Sequence, residues 1–195
     1  SEARLGKLLR GQREHWVICS KVGEEFEDGV SSFNFSPEHV RYSVQRSLRR
    51  LCTDMIDMVL VHSDGDDLRI INELGTLEAL AELKTNGLIR AFGMSTKTVE
   101  GGIAAARQGD VVMLTYNLAQ RGELPVLDKC LELGKGALIK KALASGHLAE
   151  DYKDPVQASM DLLFGHPGTA AAIVGTITPS HLEANCKAAR LAIGH

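Results

Sequence analysis

Two residues that carry or move charge near neutral pH sit where apolar runs give out in this sequence. Lys21 lies in Cys19-Ser20-Lys21-Val22-Gly23 and His62 in Leu60-Val61-His62-Ser63. A lysine holds a fixed positive charge, and a histidine is the side chain that most readily exchanges a proton around pH 7. Both follow strand-like segments in a chain that alternates strands with helices, and parallel α/β folds gather their chemistry at strand ends. The pair points to an enzyme.

The elements that must position them are legible as periodicity. Leu5, Leu8 and Leu9 give helical spacing to an opening helix that ends near Gly11. Trp16 to Cys19 reads as a buried strand, and Pro37 to Leu51 as a helix with Ser36 as N-cap. Asp57–Val61 is the next strand, followed by a helix over 67–86 stopped by Gly87 and a strand Ile89–Met94. Helices Thr98–Gln108, Glu123–Leu133, Pro155–Phe164 and Pro179–Leu191 then alternate with strands Val111–Tyr116, Ala137–Ile139 and Ala170–Val174.

Six strand–helix units with strands apolar on both faces, preceded by a helix without its strand, describe one α/β domain over residues 1–195. An open doubly wound sheet normally carries a Gly-rich phosphate turn after its first strand, and Lys21-Val22-Gly23-Glu24-Glu25 is not one. An eight-unit barrel entered after its second strand has this layout.

Composition narrows the partners. The 195 residues are 44% hydrophobic and 24% charged, with a net charge of -3 and both signs interspersed, so no basic field serves nucleic acid or an anionic membrane. Cys19, Cys52, Cys130 and Cys186 are widely spaced, as befits reduced thiols in a cytoplasmic setting rather than a zinc site or disulfide scaffold. No apolar run approaches a membrane span, and Ser1-Glu2-Ala3-Arg4 lacks the layout of a signal peptide.

Three segments in order resemble the aldo-keto reductases, from Ser1 to about Ala189. Ser47-Leu48-Arg49-Arg50-Leu51 through Asp57-Met58-Val59-Leu60-Val61-His62 is similar to the helix–strand signature that ends in the family's active-site histidine. Cys19-Ser20-Lys21-Val22-Gly23 resembles its catalytic-lysine strand, and Ile173-Val174-Gly175-Thr176 with His181-Leu182-Glu183-Ala184-Asn185 its adenosine-phosphate motif. The resemblance implies a TIM-type (β/α)8 barrel, with about six units present here, that uses NADPH, or NADH, to reduce a small aldehyde or ketone. It implies Lys21 and His62 as catalytic residues, while the family's Asp and Tyr fall upstream of Ser1. Lys21 would lower the pKa of the Tyr acid and neutral His62 would donate to the carbonyl oxygen. Without its proton donor, this chain by itself is expected to be inactive.

For the cofactor, the resemblance implies Ser95 at the nicotinamide amide, Gly175 and Thr176 at the 2'-phosphate, and Asn185 at adenine. His181 stands where many members have Arg, which weakens the preference for NADPH over NADH. Thr96 replaces a frequent Asn, Met113 a frequent Gln, and Lys140 an aromatic that stacks on the nicotinamide ring. With Lys141 beside it, Lys140 is expected to reach the cofactor phosphates instead. These departures favour, as the alternative, a nicotinamide-nucleotide-binding sensor or non-catalytic subunit on the same barrel. A lyase using Lys21 as a Schiff base is a third, weaker reading.

The remaining polar residues read as structural. Ser63 ends a strand, Asp64-Gly65-Asp66-Asp67 forms a turn and helix cap, and Asp57 caps or reaches a basic group of a neighbouring unit. His147, His166 and His195 have no metal-ligand spacing and fall on the surface or in loops. Gly101-Gly102 suits close packing of a helix on the sheet.

Overall fold

A computed structural model describes residues 1–146 and 152–194. The chain forms two compact units, Ser1–Val112 and Met113–His195. The first opens with α1 (Glu2–Leu8), β1 (Cys19–Val22) and an antiparallel hairpin of β2 (Glu24–Glu27) and β3 (Val30–Phe33). It continues through α2 (Pro37–Leu51), β4 (Ile56–His62), α3 (Asp67–Asn72), α4 (Thr76–Thr85), β5 (Ile89–Ser95) and α5 (Val99–Gln108).

Strands β1, β4 and β5 are parallel neighbours in that order, with Lys21 level with Leu60 and His62 level with Ser95. The apolar run of β4 is buried on both faces, as a parallel strand covered by helices must be. On the helical side α2 buries Val40, Val44, Leu48 and Leu51, each of which contributes roughly 1.5–3 kcal/mol relative to exposure. Its start is fixed by Ser36, whose hydroxyl accepts from the His39 amide at 3.3 Å, and by Pro37 at the first turn.

Four expectations change on packing. The first strand begins at Cys19, not Trp16. Trp16 and Val17 are 53% and 71% exposed, because the strand pairing with β4 starts only where the Met58 amide reaches the Ile18 carbonyl at 2.9 Å. In α1 the buried positions are Gly6 and, just past it, Leu9, whereas Leu5 and Leu8 face out. A side chain on Gly6 would come within 2.3 Å of the Arg50 carbonyl oxygen, so backbone contact with α2 sets that face.

The helix expected over 67–86 is broken into α3 and α4 by Gly75 at φ 69°. The β2–β3 hairpin was not foreseen, although Asp28-Gly29, with φ of 50° and 83°, is a strong signal for a two-residue turn with both residues left-handed.

The second unit takes the end of β6 (Val111–Thr115), then α6 (Leu124–Glu132), β7 (Gly136–Lys140), α7 (Pro155–Phe164), β8 (Thr169–Ala172) and α8 (Pro179–Ala192). Strands β7 and β8 are parallel, and Val126, Leu127, Ile139, Met160 and Leu163 are fully buried around them. Helix α8 packs on α7, where Gln157 Nε2 donates to the Ala188 carbonyl at 3.2 Å. His166 lies in the loop between α7 and β8, as expected, and is half-buried there as a tether. Its Nδ1 accepts from the Gly168 amide at 3.1 Å, which places the proton on Nε2, 3.0 Å from Asp128. His147 and His195 lie outside the described residues.

All four cysteines are free thiols, and burial pushes Cys130 up to about 11, so it is inert at neutral pH. No described helix is long and apolar enough to cross a membrane.

Candidate active site

In the first unit a cleft of about 780 Å³ opens against β1, β2 and α2, and both Lys21 and His62 line it. Lys21 sits within β1 rather than beyond its end, and His62 is the last residue of β4. Adjacent parallel strands thus bring the two residues from sequence positions 41 apart to one cleft.

Strand β2 adds a carboxylate that the sequence reading passed over. Glu24 Oε2 lies 2.5 Å from His62 Nδ1, and Glu24 Oε1 accepts from the Ser31 hydroxyl at 2.7 Å. A neutral ring that donates its Nδ1 proton to Glu24 presents a lone pair at Nε2. Gly23 steers the chain into β2 with φ 101°, and a Cβ there would meet the Phe35 ring at 2.6 Å. The signal that locates Glu24 is the Asp28-Gly29 hairpin turn, which folds residues 24–27 back along 30–33.

The other charges of the cleft are paired. Glu25 accepts from Arg46 and faces His39 Nε2 at 3.0 Å, and the Arg46 hydrogen bond, outweighing burial, holds its carboxyl below the ordinary value. For Glu2 burial opposes ionisation, yet hydrogen bonds from Ser20 at 2.6 Å, Ser47 and Arg50 outweigh it and lower its pKa. Burial raises the Cys19 thiol, with Lys21 acting against it.

Two buried aspartates frame the strands. Asp57 accepts from Arg13 Nη2 at 2.7 Å and from the Ile18 amide at 2.9 Å, and Arg90 lies 3.4 Å from its other oxygen. Burial raises its pKa, but those partners outweigh burial and hold the carboxyl below its usual range. Asp67, expected in a simple cap, instead ties segments together. It accepts from the Ser63 hydroxyl, the Lys97 and Thr98 amides and the Thr98 hydroxyl at 2.5–2.9 Å. Gly101 leaves room for it, since a Cβ there would lie 2.2 Å from the Asp67 Cβ; the glycine serves helix–helix packing, not helix–sheet packing. Ser95 is 3% exposed at the end of β5.

The second unit holds a separate cavity of about 710 Å³, into which Gly175, Thr176, His181 and Asn185 converge. Lys141 lines it too, turned by a left-handed backbone at φ 54°; Lys140, the preceding residue and the last of β7, is not among the lining residues. Asn185 is buried on α8, whereas Gly175 and His181 are exposed. The start of α8 offers fewer donors than its sequence promises. The Thr176 hydroxyl accepts from the Thr178 amide at 3.2 Å, and Pro179 has no amide. No group of three or more His, Cys, Asp or Glu among the described residues is arranged to hold a metal ion.

Comparison with known proteins concerns the family and the fold. A crystal structure from Pseudomonas aeruginosa assigned to the aldo-keto reductases superimposes with a TM-score of 0.92 at 57% identity, covering 99% of this chain and 73% of that one. The uncharacterized oxidoreductase YqkF of Bacillus subtilis is 25% identical over 97% of this chain and 73% of its own length. D-arabinose 1-dehydrogenase of Saccharomyces cerevisiae is 41% identical over 49% of this chain, which is 29% of the yeast enzyme. The Aldo/keto reductase family description matches residues 1–162. With strands, helices and sequence in agreement, the chain belongs to the aldo/keto reductase family of TIM-barrel oxidoreductases.

Proposed function

We propose that the enzyme built on these residues reduces an aldehyde or ketone to an alcohol with a nicotinamide cofactor, in the cytoplasm. The observation that carries this reading is the presence of Lys21 and His62 on neighbouring parallel strands in one cleft. Reduction of a carbonyl leaves an alkoxide that must take a proton. A tyrosine outside residues 1–195 is the acid in this reading. The Lys21 ammonium favours the phenolate and so makes the phenol a faster acid at neutral pH, and His62 orients the carbonyl oxygen.

The cavity of the second unit fits the adenosine end of such a cofactor. It is polar at Thr176 and Asn185, open at Gly175, where a Cβ would meet nothing within 4 Å, and cationic at Lys141. When bound, the reduced nicotinamide supplies the hydride. Asn185 would meet the adenine, Thr176 and Lys141 the phosphates, and Ser95 the nicotinamide amide. Lys141, rather than Lys140, is the residue whose position suits a phosphate. His181, standing where many members carry an arginine, lacks the bidentate guanidinium fork and leaves NADH admissible beside NADPH.

The test is oxidation of NADPH and of NADH by the enzyme including its tyrosine, against a panel of small aldehydes and ketones. Turnover that Lys21→Met abolishes while cofactor binding persists supports the reading. Tight cofactor binding without turnover of any carbonyl supports the non-catalytic alternative, which the replacements Thr96, Met113 and Lys140 favour on the nicotinamide side.

A further inference from the structure

The Lys–His pair has an acidic neighbour in the same cleft. We propose that Glu24 is a positioning residue for His62, taking the ring's Nδ1 proton in a hydrogen bond and so making the imidazolium the form that donates from Nε2. The inference rests on the carbonyl-reductase reading of the same cleft and names a residue that reading does not require.

The geometry singles out Glu24 among the acids nearby. Three carboxylates line the cleft beside His62. Glu25 is held by Arg46 and His39, and Glu2 by Ser20 and Arg50. Glu24 contacts His62 directly, Oε2 to Nδ1 at 2.5 Å. Its second oxygen is fixed by the Ser31 hydroxyl across the hairpin, and Gly23 and Phe35 fix the direction in which β2 leaves β1. The carboxylate is thus oriented by elements other than the histidine it contacts, as a positioning group must be.

A carboxylate at this distance is a better partner for the charged ring than for the neutral one, while the Lys21 ammonium in the same cleft acts in the opposite sense. From β5 the neighbour in register is Ser95, which does not titrate, and from α2 the cations Arg46 and Arg50 are engaged by Glu25 and Glu2. With Nδ1–H committed to Glu24, a neutral ring carries a lone pair at Nε2 and cannot donate to a carbonyl oxygen; the doubly protonated ring can. Carbonyl orientation by His62 is then lost when the ring gives up its second proton.

The experiment is a histidine NMR titration of the enzyme and its E24Q and E24D variants, with His62 assigned by His62→Gln, alongside pH profiles of kcat. In the wild type the Nδ1-bound proton of His62 is expected far downfield, with a midpoint above that in E24Q by about one pH unit, the size of shift common near an opposite charge. E24D should restore part of the shift, and the alkaline fall of kcat should move down with the midpoint in E24Q. Melting curves identify a variant that does not fold, in which case S31A, which frees one oxygen of Glu24, is titrated instead and is expected to lower the midpoint by a smaller amount. An identical His62 midpoint in wild type and E24Q overturns the proposal. Altered His62 titration in a protein that reduces no carbonyl leaves the Glu24 pairing standing and refutes the reductase reading.

Discussion

The two units hold their candidate functional side chains in opposite ways. In the first, Lys21 and His62 are set on adjacent parallel strands, and the surrounding carboxylates are clamped by Arg46, Arg50, Ser20 and Ser31. In the second, Gly175 and Thr176 lie beyond the end of β8 and His181 on the exposed first turns of α8, with only Asn185 buried. The contrast suits the proposed function: proton transfer would tolerate little misplacement of groups on strands, whereas a long ligand gripped at several points would tolerate a looser wall.

The sharpest way to break that contrast is Lys21→Met. Loss of an acid–base partner is expected to lower kcat roughly 10²- to 10⁴-fold, while the Kd for NADPH, measured by fluorescence, stays near its original value. Equal losses in kcat and in cofactor binding would mean that the two sites are not separable.

Next in size is Asp57→Ala, which strips a buried partner from Arg13, Arg90 and the Ile18 amide where β1 begins. Urea unfolding should show a loss of about 2–4 kcal/mol, because the groups left behind stay partly buried. The pH dependence has a definite sign. The Asp57 pKa is depressed on folding, so its contribution is complete above the unfolded value near 4 and is lost as pH falls through the folded pKa. In Asp57→Asn the acid limb of stability against pH should flatten.

Gly101→Ala probes the close approach of α5 to α3. A Cβ at 2.2 Å from that of Asp67 forces a shift, and a loss of about 1–3 kcal/mol in thermal or urea unfolding is expected. The smallest effect belongs to the second unit. Asn185→Ala should weaken NADPH binding about five- to tenfold by loss of one hydrogen bond, with kcat at saturating cofactor unchanged. A large fall in kcat there would show that the cavity wall is coupled to the chemistry.

How far the residues announce themselves depends on whether the signal is local. Helix α2 is legible to the residue, because Ser36, Pro37 and the apolar spacing of Val40, Val44, Leu48 and Leu51 all act within the segment. The start of β1 is not, because a strand begins where a partner offers hydrogen bonds. Trp16 and Val17, apolar as they are, have no such partner in the pairing with β4. Leu5 and Leu8 mislead for a related reason: close approach of α1 to the Arg50 carbonyl selects Gly6, not the leucines, as the contact face. In the cavity nothing in residue type distinguishes Lys141 from Lys140. The left-handed backbone that singles it out carries no mark in the residue type.

The sequence by itself determined the alternation of strands and helices, the caps and stops that bound most of them, and the family, since periodicity and short motifs depend on near neighbours along the chain. Only the tertiary structure decided what faces what. It brought Glu24 to His62, turned Asp67 from a cap into a tie between α3 and the start of α5, and gathered Thr176, His181, Asn185 and Lys141 around one cavity. These are contacts between residues from different elements. Register, twist and packing set them, and no spacing along the chain encodes them.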